Sequence, residues 1–351
     1  MIEGAKEGRG HRFVFVTAAL MVIIAGIRMA SPILEPFLLS LFLAIICGGP
    51  MSWLREKGVP RTLSLVIVVA VITAMEFLLA VLVGTSLQDF SSSLPAYQAL
   101  LKEQMAAFLE WAARFGIDLP DQGILAAFDP GAAMNLVARL LTGFGGVLTN
   151  TFLILLLTVF ILFEATAIPA KVLATSADPT RSMETIVRFI SSVQRYMALK
   201  TAVSLATGIV IAVWLAILGI DYPLLWGVLA FLLNYIPNIG SILAAVPAVL
   251  LAMLQLGPGA ALLAALGYLG VNIFVGNVIE PRIMGRDLGL STLVVFLSLV
   301  FWGWVLGPVG MFLSVPLTNA FKIGLEGGEN TRWIAVLLGP EAPVAAGSQC
   351  S

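Results

Sequence analysis

Long apolar runs separated by short polar or basic patches set the pattern of this chain. A hydrocarbon core about 30 Å thick takes about 20 helical residues to cross. Runs of that kind fall at 13–29, 33–50, 61–85, 144–164, 199–219 and 259–280. Two further runs, LLWGVLAFLLNYIPNIGSILAAVPAVLLAML (224–254) and LVVFLSLVFWGWVLGPVGMFLSVPLTNAF (293–321), are cut in their middle by helix breakers. Pro237 and Gly240 interrupt the first; Gly307, Pro308 and Gly310 interrupt the second. Unpaired backbone is costly in lipid, so such breaks survive only where they face protein or line a watery cavity. Two in matching positions point to the substrate path of a transporter.

The halves of the broken segments are short. Residues 223–236 make about 21 Å of helix and residues 241–256 about 24 Å; the halves 289–305 and 307–322 are similar. Each segment is therefore either a re-entrant hairpin or a pair of short tilted spans, and in both cases it returns to the side it left. The stretch after each break is alike, GSILAAVP (240–247) against GMFLSVP (310–316). That is a weak inverted repeat, the symmetry that alternating-access carriers use. Chance similarity in Gly- and Ala-rich sequence is the competing explanation. The two hairpins are expected to insert from opposite sides, with tips at 236–240 and 306–310 near the midplane.

Two stretches outside the spans are amphipathic. Leu94, Tyr97, Leu101, Met105, Phe108, Ala112 and Phe115 step by three and four, which predicts a helix, and GIDLPDQG and FDPG form turns after it. The region 86–143 is too small for an enzyme domain; it reads as a helical cap, with a gate or vestibule as the sharper alternative. In DPTRSMETIVRFISSVQRYM (178–197), Asp178 can cap a helix with Pro179 in its first turn. Met183, Ile186, Val187, Ile190, Val193 and Met197 form one face and Arg181, Arg188 and Arg195 another, the pattern of a helix in the membrane interface, with a regulatory or coupling role as the alternative.

Composition removes the soluble alternatives. The chain is 60% hydrophobic and 11% charged, a balance that only a polytopic membrane protein shows. The net charge of −1 argues against nucleic acid. Basic residues precede the first apolar run, as in a signal peptide, but that run is long and a second follows at once, so it reads as a retained helix. With the N-terminus in the cytoplasm, 15 of the 19 Lys and Arg fall on cytoplasmic segments, among them Lys171, Arg188, Lys200, Arg282, Arg286 and Lys322. Arg28, Lys102, Arg114 and Arg139 lie outside. Counted this way, the positive-inside rule puts both termini in the cytoplasm.

Candidate chemistry is sparse. There is no GxxxxGK[ST], no HExxH and no GxSxG, so the chain is expected not to be an enzyme or a primary pump. Cys47 and Cys350 give neither a disulfide framework nor metal spacing, and the single histidine, His11, sits in the polar N-terminus. No cofactor or metal is expected. Polar groups do occur at membrane depth. Glu76, in the third span, reads equally as a proton-coupling residue or as a neutral, hydrogen-bonded structural one. Glu164 and Lys200, near the cytoplasmic ends of spans, read as snorkelling or paired. Asn234 and Asn238 flank Pro237, and Asn272 and Asn277 lie on the next span. These amides either glue helices together or contact a polar solute or cation. With Pro237, Gly240, Gly307, Pro308 and Gly310 they make up the candidate path.

NYIPNIG (234–240), NVIEPRIMGRDLGL (277–290) and GPVGMFLSVPL (307–317), in that order, resemble the AI-2E family of autoinducer-2 exporter-like permeases. RYMALKTAVSLATG (195–208), LGIDYPLLWGVL (218–229) and RTLSLVIVV (61–69) fit the same pattern. The resemblance implies an inner-membrane protein of about eight helices that exports a small polar solute. It also implies a homo-oligomeric ring, with a pentamer as one candidate, and some members are assigned cation/proton antiport instead. Glu76 belongs to no motif of the family.

The expectation is thus an all-α polytopic membrane protein of about eight membrane elements, in four parts. These are a three-helix part (1–85), a small extracytoplasmic helical region (86–143), a transport core (144–324) that includes the cytoplasmic amphipathic helix 178–198, and a cytoplasmic tail (325–351). It is expected to act as an ATP-independent inner-membrane permease, with a sodium or other cation/proton antiporter as the alternative. A non-transport scaffold is a third reading, which has no need for two Pro/Gly breaks at membrane depth.

Overall fold

The computed structural model describes residues 3–114, 151–165, 167–176, 178–237, 239–279, 289–327 and 331–339. All regular structure among them is helical. In chain order the helices are α1 (Glu3–Met29), α2 (Ser31–Glu56), α3 (Arg61–Arg114), α4 (Thr151–Glu164), α5 (Ile168–Thr175), α6 (Pro179–Leu218), α7 (Pro223–Leu233), α8 (Gly240–Leu256), α9 (Pro258–Phe274), α10 (Thr292–Glu326) and α11 (Arg332–Leu337). A π-helical turn, Val275–Ile279, continues α9.

Two of these helices are longer than the apolar pattern suggests. The third span and the amphipathic stretch beyond residue 86 form one helix of 54 residues. The stretch from 178 and the fifth span likewise form one helix of 40 residues, so the former is an extension of a span and not a separate element. Polarity changes at both junctions without ending the helix: Gly84 and Pro95 lie inside α3 around the first, and the second has neither residue type beside it. Asp178 does cap α6, accepting the Arg181 amide at 3.1 Å. The turns GIDLPDQG and FDPG, Glu280 through Arg286, and Cys350 lie outside the described residues.

The chain divides into two compact units: residues 1–49, 156–194 and 287–351, and residues 50–155 and 195–286. In the first, Gln194 donates from Nε2 to the Ile45 carbonyl at 2.8 Å beside the buried Cys47. Helix α10 dominates this unit, and it is not one straight rod. Leu306 leaves helical geometry (φ −121, ψ 16) and Gly307 takes φ 59, ψ −147, a conformation essentially reserved for glycine. Pro308 then opens the second arm, where its missing N–H is of no consequence. The arms fold back on each other: Trp302 Nε1 donates to Thr318 Oγ1 at 3.0 Å. Lys322 Nζ donates to the Gly289 carbonyl at 2.6 Å and ties the two ends of the hairpin. Near the tip, the Arg28 guanidinium lies 4.7 Å above the Trp304 ring. This contact seats the C-terminal end of α1 beside the hairpin tip.

In the second unit, α7 and α8 form the other hairpin. Pro223 starts α7, which ends after 11 residues. Residues 234–237 turn away from α7, and Gly240 opens α8. A Cβ on Gly240 would lie 1.8 Å from the Leu233 carbonyl oxygen, so only glycine allows the arms to approach this closely. Gly310 plays the same part in α10, where a Cβ would lie 2.0 Å from the Trp302 oxygen. The two glycines aligned by sequence are therefore equivalent in structure. Gly257 (φ 88) ends α8, and Pro258 starts α9. Small residues let these helices pack closely, as membrane helices do. Ala244, Ala248 and Ala252 of α8 and Ala261 and Ala264 of α9 are buried. At the crossing of α6 and α7 a Cβ on Gly208 would meet the Gly227 oxygen at 2.7 Å.

Candidate solute path at the α7–α8 hairpin

The tip of this hairpin is held by α6. Asn234 Nδ2 donates to Ser204 Oγ at 3.0 Å, and Tyr235 OH donates to Thr201 Oγ1 at 2.6 Å. Ser204 and Thr201 lie 14 and 17 residues before Leu218, about 21–26 Å along the helix. The tip is thus seated on α6 well before the C-terminal end of that helix.

Just above the tip is a narrow cavity of α6, α7, α8 and α9, with room for roughly one water molecule. Its polar lining is Thr207, Asn234, Ser241, Tyr268 and Asn272. Two of these groups are anomalous. Tyr268 is 5% exposed, and neither its hydroxyl nor the enclosed Ser241 Oγ has a hydrogen-bond partner. Leaving such a group unsatisfied costs about 1–3 kcal/mol, and buried polar groups without partners mark functional places or a missing polar guest. The π turn starts at Val275, which lines the same cavity; π segments are frequent at functional sites. Every polar group here is a neutral hydroxyl or amide, which suits a neutral polar solute or a cation held by oxygen atoms.

Of the residues singled out in the sequence, Asn234 and Asn272 are brought together at this cavity. Gly240 and Pro237 shape the turn beneath it, and Gly307, Pro308 and Gly310 shape the turn of α10. Asn277 falls in the π turn, with its side chain outside the described residues, and Asn238 lies outside them altogether. Glu76 is half-buried on α3, with Oε2 enclosed and unpartnered, and does not line the cavity. Glu164 pairs with Lys171 at an exposed site. Lys200, read as snorkelling or paired, is buried, 4% exposed. Ser241, Tyr268 and Thr207 were not apparent in sequence. Each is one polar residue in an apolar run, and only the fold converges them.

The opposite end of the hairpin carries a second polar cluster. Asp221 N donates to Gln255 Oε1 at 3.1 Å, and Tyr97 OH donates to Asp221 Oδ2 at 3.2 Å. Gln255 Nε2 reaches both Tyr97 OH, at 3.2 Å, and Asp221 Oδ2. The Tyr97 hydroxyl is pushed well above its ordinary value by burial, with Tyr222 and Asp221 adding to the effect, so it remains a donor at any physiological pH. Positions 97, 221 and 255 all belong to segments that the charge pattern places outside.

These features define the class: an all-α multipass membrane protein built around two tightly folded helical hairpins with glycine tips, one of them closing on a small polar cavity. Residues 15–329 match the profile described as AI-2E family transporter, and the chain belongs to that family. It is 44% identical over 329 residues to the AI-2 transport protein TqsA of Escherichia coli K12, covering 94% of this chain and 96% of the relative. A Haemophilus influenzae relative assigned by name to transport is 42% identical over 335 residues, 94% and 96% of the two chains. Escherichia coli YhhT, likewise assigned by name, is 37% identical over 334 residues, 95% and 96% of the two chains.

Proposed function

We propose that this transporter exports a small polar, autoinducer-2-like solute across the bacterial inner membrane without ATP, by alternating access. The observation that carries the reading is the cavity at the α7–α8 tip, with two buried hydroxyls that lack partners. Asn234, Asn272, Ser241 and Tyr268 would take the solute's hydroxyls in place of water. A cavity the size of one water is too small for a sugar-like molecule, so it represents a closed state that must widen as the hairpin moves. Gly240 and Gly307 give each hairpin a turn with no side chain in the way. The N- and C-termini are cytoplasmic in this reading, and the copies assemble as a homo-oligomeric ring; the α3 span, only 11% buried within one chain, supports packing against neighbours. The test is efflux of autoinducer-2 from proteoliposomes. Efflux above empty liposomes that falls at least about tenfold in Tyr268→Phe supports it, and flux equal to empty liposomes overturns it and favours the scaffold reading.

A second reading, cation/proton antiport, draws on the same cavity, because neutral oxygens beside the C-terminal end of α7 suit a monovalent cation. Glu76, with an enclosed carboxylate oxygen, is its proton-coupling candidate. Sodium-dependent proton flux in the same vesicles decides between the two.

A further inference from the structure

Asp221 uses all of its polar groups at the outer end of the α7–α8 hairpin. Its amide and carboxylate engage Gln255 and Tyr97, as described above, and its carbonyl accepts Trp226 Nε1 at 2.9 Å. The next residue, Tyr222, is held at φ 59, ψ 43, a left-handed conformation that is a genuine outlier for a bulky side chain. Such strain persists only where surrounding contacts impose it, and it concentrates at switch regions. Here the contacts come from α3. Ser93 Oγ lies 3.1 Å from the Tyr222 hydroxyl, and the Phe90 ring stands edge-on to Tyr222 and Trp226 at 6.0 and 5.7 Å. Phe90 and Trp226 are fully buried while Asp221 is exposed. A water-facing polar catch therefore sits on a dry aromatic seat.

From this geometry we propose that Asp221, Tyr97 and Gln255, with Ser93 and Tyr222, form a latch that fastens the α7–α8 hairpin to the outer extension of α3 and closes the polar cavity from outside. The mechanical link is α8. Gln255 stands near one end and Ser241 near the other, about 21 Å apart along the helix. Freeing Gln255 frees the rod that carries Ser241. Release also lets Tyr222 leave its strained conformation, so the open state is aided by relief of strain. This inference rests on the reading that the cavity belongs to the path, but the latch can be tested without knowing the solute.

The test uses full-length protein in right-side-out membranes, with Cys47 and Cys350 replaced by Ser and Ser241→Cys as reporter. A membrane-impermeant methanethiosulfonate is applied from outside. With the latch intact, the reporter should label slowly. Tyr97→Phe keeps the ring and removes the hydroxyl that Asp221 accepts, and should raise the outside labelling rate about tenfold or more. Gln255→Glu sets a second carboxylate against Asp221, with Tyr97 and Tyr222 the neighbouring titratable side chains. Labelling should be fast at neutral pH and slow again in acid, relative to the latched Gln255 protein at the same pH, as one carboxylate takes a proton. Reversal within one folded protein separates release from misfolding. Rates unchanged in both variants, or labelling that rises only from the cytoplasmic side, overturn the latch. Faster outside labelling with no change in solute flux upholds the latch and counts against the path reading.

Discussion

Trp302 and Thr318 are 16 residues apart in one helical stretch, yet the indole of the first donates to the hydroxyl of the second at 3.0 Å. In a straight helix they would be about 24 Å apart. The bond therefore requires the chain to double back between them, and Leu306 and Gly307 are where it does so. Counted by length and hydropathy alone, residues 292–326 would pass for one crossing; the side-chain bond shows a hairpin instead.

That relationship gives a direct check. A Cβ on Gly303 would lie 2.8 Å from Met311 Cγ, which puts the two Cβ positions within disulfide range. Gly303→Cys with Met311→Cys, in a background lacking the native cysteines, should cross-link almost completely on mild oxidation in membranes. Residues eight apart in a continuous helix are about 12 Å apart and cannot bridge. A pair that stays reduced rules out the hairpin.

The tip glycines should be far less replaceable than other glycines. Gly240→Ala and Gly310→Ala drive a methyl into a backbone carbonyl, which cannot rotate away, and each should lose about 2 kcal/mol or more. Gly307→Ala meets nothing within 4 Å but must hold φ 59, ψ −147, at about 1–3 kcal/mol. Gly270→Ala, in α9 with open space around it, should gain up to about 1 kcal/mol of helix propensity. Thermal unfolding in detergent gives the ranking; equal melting points for Gly270→Ala and Gly310→Ala would contradict the close-approach argument.

Much of this was legible in the apolar pattern: the hairpins with their glycine turns and the equivalence of Gly240 and Gly310. The uninterrupted course of α3 past residue 86 was not, because a run of Ser, Asp and Gln changes solvent preference without ending hydrogen-bonded helix. The neighbours of each tip were not legible either: arm length says nothing of Asn234 meeting Ser204 or of Arg28 meeting Trp304. The cavity was half visible. Amides beside a proline stand out, whereas Ser241 and Tyr268, 27 positions apart, have no periodic relation that a sequence can reveal.

Asn234 and Tyr268 should respond differently to truncation. Asn234→Ala removes the partner of Ser204, which is fully buried, and should destabilise by about 1–3 kcal/mol whatever the site does. Tyr268→Phe deletes a hydroxyl that bonds to nothing, so the fold should be unharmed or slightly firmer. If the cavity handles solute, Tyr268→Phe should nevertheless lose transport by about tenfold or more. Transport retained in that variant, at unchanged melting temperature, would remove Tyr268 from the path.

Glu76 separates the two transport readings. Its Oε2 is enclosed without a partner on a helix otherwise open along its span, and an ionised carboxylate there is worth about 2.5–3.5 kcal/mol against insertion. Glu76→Gln keeps the shape and removes both the charge and the exchangeable proton, so expression and melting temperature should hold or rise. In an antiporter the same change should abolish sodium-driven proton movement in vesicles loaded with a pH-sensitive dye. In a facilitated exporter of a neutral solute it should leave solute efflux within about twofold of wild type. Proton movement that persists at full rate in Glu76→Gln would exclude this carboxylate from coupling, leaving Glu76 as a structural residue.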